Sequence, residues 1–154
     1  MSSVTVIVYE TLFLEKALPR LVEKGLQTGK RMVIITGTQE RAFFIDQLLW
    51  TYTPVSFLPH GCQGKDLAPQ DHPIWITFQE ETGNKDKEPL PPIVVLVETL
   101  DIPKELDGVE KILAFALPQE RDKAQQAFQD FPHCSFWTQT DAGWKNSDKV
   151  ESIT

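Results

Sequence analysis

The residues in this sequence best suited to chemistry are His60 and Cys62, which share the short segment His60-Gly61-Cys62. A zinc centre needs about four ligands at suitable spacing, and His72 and His133 have no flanking ligand. A cysteine nucleophile needs a base that orients it, and an i, i+2 pair among prolines and glycines does not guarantee that geometry. The pair therefore reads as surface loop residues, with His60 bonded to local backbone. Glu80-Glu81 and Lys85-Asp86-Lys87-Glu88 supply carboxylates. Acid–base work needs a cleft that shifts one pKa, and a run of alternating sign reads as solvated loop.

Phosphate binding leaves a different signature, glycines in the turn after a strand that let backbone N–H groups approach the anion. The turn after the first apolar strand is Glu10-Thr11-Leu12-Phe13, with an acid and no glycine. The turn after the second, Gly37-Thr38-Gln39-Glu40, has one glycine and no following Gly or Lys. Gly29-Lys30-Arg31 follows a helix rather than a strand. Neither a mononucleotide nor a dinucleotide site is expected, and no cofactor or metal.

The elements that must carry these residues follow from periodicity. Val4–Tyr9, Met32–Ile35, Ile74–Phe78, Ile93–Val97 and Lys111–Leu117 read as strands, mostly continuous and apolar. Leu18, Leu21, Val22 and Gly25 mark an amphipathic helix between Phe13 and Thr28, with Pro19 required in its first turns. Thr38 caps a second helix, Gln39–Trp50, burying Ala42, Ile45, Leu48 and Leu49. A third helix spans Glu120–Phe131 and is stopped by Pro132, and Cys134–Thr138 with Trp144 forms an edge hairpin. Strands alternating with helices predict an α/β domain, a mainly parallel sheet with helices on both faces and no nucleotide-binding loop. The expected division is one domain over residues 1–144 and a polar tail over 145–154.

Composition narrows the function. The 154 residues carry 15 Lys+Arg against 22 Asp+Glu, a net charge of −7, which disfavours a dedicated, non-specific nucleic-acid binder. The longest apolar run, Ile112–Leu117, is six residues, against about 20 for a membrane-spanning helix. Cys62 and Cys134 read as reduced cytosolic thiols. Trp50 ends a helix and precedes Ser56-Phe57-Leu58-Pro59-His60, an aromatic cluster that serves either the core or an outward anchor for a partner.

Several stretches, in order, resemble the chi subunit of bacterial DNA polymerase III. They are Gly29-Lys30-Arg31-Met32-Val33-Ile34, Leu48-Leu49-Trp50-Thr51-Tyr52, Ser56-Phe57-Leu58-Pro59-His60-Gly61, Pro73-Ile74-Trp75-Ile76-Thr77, and the terminal run from Phe136 to Trp144. The resemblance implies a Rossmann-like α/β fold without a nucleotide site and a non-catalytic accessory subunit of a DNA-directed DNA polymerase complex. It implies a cytoplasmic, replisome-associated protein that meets DNA only indirectly and no membrane. Its partners would be the psi subunit of the clamp loader and the acidic C-terminal tail of single-stranded-DNA-binding protein. Trp50 and Phe57 would contribute to the psi-facing surface, with Pro59 and His60 shaping the loop. Arg121 and Lys123 would attract the acidic tail, and Phe128 or Phe131 would border a pocket for its terminal Phe. The family commonly sets basic residues beside that aromatic, whereas Ala127-Phe128-Gln129-Asp130-Phe131-Pro132 has none, so the implied tail site is weak. Two other readings keep the scaffold: a module for a repair or helicase partner, and an enzyme with polar groups converging at the strand C-termini.

Overall fold

A computed structural model describes residues 4–51, 60–65, 72–78, 90–103, 106–140 and 143–146. β1 (Thr5–Glu10) alternates half-buried and buried positions, with Val6, Val8 and Glu10 turned inward. α1 (Leu14–Gln27) buries Ala17, Leu18, Pro19 and Val22. Pro19 is its sixth residue, slightly deeper than the first turn, where a missing N–H costs nothing. Gly25 faces the sheet, where an added Cβ would displace the Met32 terminal methyl. β2 (Met32–Thr36) is buried throughout. α2 (Gln39–Trp50) begins where the Thr38 hydroxyl accepts the Arg41 N–H at 3.2 Å.

β3 (Gly61–Cys62), β4 (Ile74–Phe78), β5 (Ile93–Val97) and β6 (Lys111–Ala116) follow. A 3-10 turn (Pro118–Glu120) leads into α3 (Arg121–Ala127), and β7 (His133–Thr140) and β8 (Gly143–Asn146) close the chain. Among the described residues the strands form one sheet in the order β3-β4-β2-β5-β6-β1-β7-β8. All neighbours are parallel except the β7–β8 pair. β8 continues through Lys145 and Asn146, two residues of the stretch expected to be tail.

Strand alternation divides the core into two layers. Met32 and Ile34 join α1 and α2 on one face, while Val33 and Ile35 join the Ala124 and Phe128 layer on the other. The fold is thus α/β with a mostly parallel sheet and helices on both faces. Cys62 belongs to the first layer and Cys134 packs on the second, so the sheet lies between the two thiols. Three expectations are revised. Cys62, expected in a polar loop, is buried in β3, because β3 adds to the outer edge of β4. The third helix, expected over Glu120–Phe131, ends at Ala127. Phe128 turns down onto the sheet and the Phe131 N–H bonds back to its carbonyl at 3.0 Å, so the chain can re-enter as β7. Leu48, expected in the buried stripe of α2, is only half-buried, and Asp46 takes a buried place there.

Candidate functional site

Asp46 lies four residues after Ala42 and three before Leu49, so helical geometry turns it inward with them. Its carboxylate is 4% exposed and has two partners. Oδ2 meets Lys65 Nζ at 2.9 Å, and Oδ1 meets His60 Nε2 at 3.1 Å. His60 Nε2 also lies 3.3 Å from the Asp46 carbonyl oxygen. Both neighbours accept, which places a proton on that nitrogen. His60 is fully buried at its side chain, contrary to its reading as a surface residue bonded to local backbone. It reaches a helix fourteen positions upstream because β3 docks beside α2 and β4.

The Trp50 indole rests on this imidazole, with ring centroids 4.5 Å apart at 48°. Trp50 is 48% exposed, a large apolar surface held from beneath by a ring that is itself held by a buried carboxylate. A rigid, half-buried aromatic of this kind loses little conformational entropy on contact with another surface. α2 starts after the C-terminal end of β2 and runs back along the sheet, so Trp50 and His60 sit at the N-terminal end of the strands. Phe57 and Pro59, expected beside them, lie outside the described residues, as does the charged run from Glu80 to Glu88. Asp46 and Lys65 were missed in the sequence, although a carboxylate at i+4 from Ala42 within an apolar stripe was a legible signal.

The residues expected to meet an acidic tail are arranged differently. Arg121 Nε lies 3.1 Å from Glu10 Oε2, close enough for an ion pair but off-axis for a hydrogen bond. Its guanidinium stacks over Phe136 at 4.8 Å, and Thr138 Oγ1 donates to Glu10 Oε1 at 3.0 Å. Arg121 therefore serves to compensate a buried carboxylate at the end of β1, and its charge is largely spent there. Phe128 is 2% exposed and is part of the core. Phe131 is half-buried, edge-on to Phe128 at 5.9 Å. Lys123 is exposed, on an α3 surface that also presents Asp122, Gln125, Gln126 and Gln129.

The turns after β1 and β2 contain no phosphate cradle: Thr11, Leu12 and Phe13 follow the first, and Gly37 and Thr38 the second. Fold and surface together define a doubly wound α/β scaffold that presents, among the described residues, a supported aromatic at the N-terminal end of its strands. Comparison with known proteins makes this more particular. Residues 1–136 match the family described as DNA polymerase III chi subunit, HolC, and the chain belongs to that family. It is also 34% identical, over 104 residues, to a protein of Rickettsia prowazekii (strain Madrid E) named "Probable DNA polymerase III subunit chi". That alignment covers 68% of this chain and 59% of the relative, so the chain spans about three-fifths of the relative's length.

Proposed function

We propose that the protein acts in bacterial DNA replication as a non-catalytic accessory subunit of the DNA polymerase III holoenzyme. It joins the clamp loader, through the psi subunit, to single-stranded-DNA-binding protein, and does so in the cytoplasm without cofactor or direct hold on DNA. Family membership supports the replicative setting, and any polymerase activity belongs to the complex. The observation that carries the reading is Trp50, exposed over about half its surface and propped on buried His60. Phe57 and Pro59, which lie outside the described residues, contribute to psi binding in this reading, and His60 positions Trp50 rather than touching the partner. The acidic-tail contact is the weaker of the two. Lys123 and the edge of Phe131 remain available to it, whereas Arg121 is engaged by Glu10 and Phe128 is covered. An exposed ion pair contributes about 0–1 kcal/mol, so tail binding is weak and falls as salt shortens the screening length.

The test is co-elution of the purified chain with the psi subunit from the same cell on size exclusion, with wild type and Trp50→Ala compared. A stable complex that Trp50→Ala disperses supports the reading. Absence of any complex with psi, alongside a complex with a helicase or repair protein through the same residue, would transfer the function to that partner.

A further inference from the structure

A second surface lies at the other end of the sheet from Trp50. Thr11 prolongs the pairing of β1 with β6, its N–H donating to the Ala116 carbonyl at 3.0 Å. The residues after both strands therefore emerge side by side. Leu12 is 64% exposed, Phe13 56% and Leu117 39%, three of the four exposed large apolar side chains among the described residues. Leu117 lines a cleft of about 140 Å³ floored by Leu14 and Phe115 and rimmed by Glu98 and Glu120, and Leu12 and Phe13 are the exposed residues between Thr11 and Leu14 of its wall.

Two residues in and beside this cleft go against local preference. Phe13 occupies the N-cap of α1 with no side-chain cap bond, where Ser, Thr, Asp or Asn is strongly preferred. Glu98 adopts φ 62°, a left-handed conformation costly for a residue with a Cβ. Both are actively held. The Thr11 hydroxyl accepts the Phe13 N–H at 2.8 Å, fixing the turn that sends Leu12 and Phe13 outward. Arg41 grips Glu98 through two bonds, of 2.6 and 2.8 Å. Local rules broken and then braced in this way are the mark of a functional surface.

We propose that this cleft docks a peptide segment of a protein partner that presents a bulky apolar side chain next to Lys or Arg. The apolar floor takes the side chain. Glu120 selects the flanking charge, because Glu98, the other rim carboxylate, is already paired with Arg41, and the chain as a whole carries −7. Glu120 Oε1 accepts the Leu117 N–H at 3.0 Å, which holds this carboxylate on the rim. An acidic segment is repelled here, so this surface is distinct in chemistry from a site for an acidic tail. It is also distinct in place from Trp50, so both can be occupied at once.

The test uses short fluorescein-labelled peptides with a central Leu-Phe pair flanked by Lys or by Glu, titrated by anisotropy against the whole chain. The Lys-flanked peptide should bind tighter by roughly fivefold or more, a margin that shrinks at high salt. Glu120→Gln retains an oxygen for the Leu117 N–H and should narrow the margin. Phe13→Ser should weaken binding while raising the melting temperature by about 2–4 °C, because it supplies the missing cap. A merely structural Phe13 would give the opposite sign. Equal binding of the two peptides, no binding of either, or full binding by Phe13→Ser would overturn the proposal. So would concentration-dependent dimerisation abolished by Phe13→Ser, which would assign the cleft to a second copy of the chain.

Discussion

Trp50→Ala separates an anchor for a partner from a part of the core, and the structure sets the scale. A tryptophan that is fully buried removes about 200 Å² from water, and Trp50, at 48% exposure, withdraws about half of itself. That half is worth about 2.5 kcal/mol at ~25 cal/mol/Å², or about 2 kcal/mol once compactness of the unfolded chain is allowed for. Losing the stack on His60 adds about 0.5–1 kcal/mol, and alanine's better helix propensity returns about 0.5 kcal/mol. The expected loss of stability is about 2 kcal/mol, below the ~3–5 kcal/mol of a fully buried aromatic truncation. Affinity for psi should fall about thirtyfold, the ~2 kcal/mol of an interface hot spot. Urea unfolding gives the first quantity and calorimetric titration of the folded variant with psi gives the second. A stability loss of about 4 kcal/mol or more, with unchanged affinity of the folded fraction, would refute the reasoning and return Trp50 to the core.

Asp46→Asn should cost about 1–3 kcal/mol in urea unfolding, because it disturbs a buried acceptor on which His60 depends. Lys65→Ala should cost less than about 1 kcal/mol, since that side chain is 38% exposed; equal costs would show that the lysine, not the histidine, is the important partner. Arg121→Ala should destabilise by about 2–3 kcal/mol by stranding buried Glu10, while Lys123→Ala stays within ~0.5 kcal/mol and weakens only low-salt tail binding. Matching effects at both positions would contradict the assigned roles. Burial pushes the Tyr9 hydroxyl above its ordinary pKa of 10.0. Folding therefore favours the protonated phenol, and this contribution is present below pH 10.0 and lost as pH rises through the folded-state value. Unfolding measured on either side of pH 10.0 should show a decline that Tyr9→Phe lessens, and an unchanged decline would assign it to other groups.

What was legible in the sequence is what a single element encodes within its own length. β5 over Ile93–Val97 and α2 over Gln39–Trp50 were read to the residue, because prolines bound the one and the Thr38 cap and an apolar stripe mark the other. The closing of α1 before Gly29, at φ +81°, was equally local. So were the ordered motifs that carried the chi-family resemblance. Tertiary structure alone decided which elements are neighbours. The β3 pairing, the turn of Phe128 onto the sheet and the contact of His60 with Asp46 all depend on strand order, which no periodicity records. Arg121 is the clearest case. Its sequence neighbours mark it as a rim charge on a short helix, yet β1 lies between β6 and β7 in the sheet and delivers Glu10 beneath it. Thr11 likewise reaches the Ala116 carbonyl across 105 positions only because β1 and β6 pair in register. Side-chain periodicity is a property of one backbone element, whereas a site is a coincidence of several, fixed by the packing that buries their apolar faces.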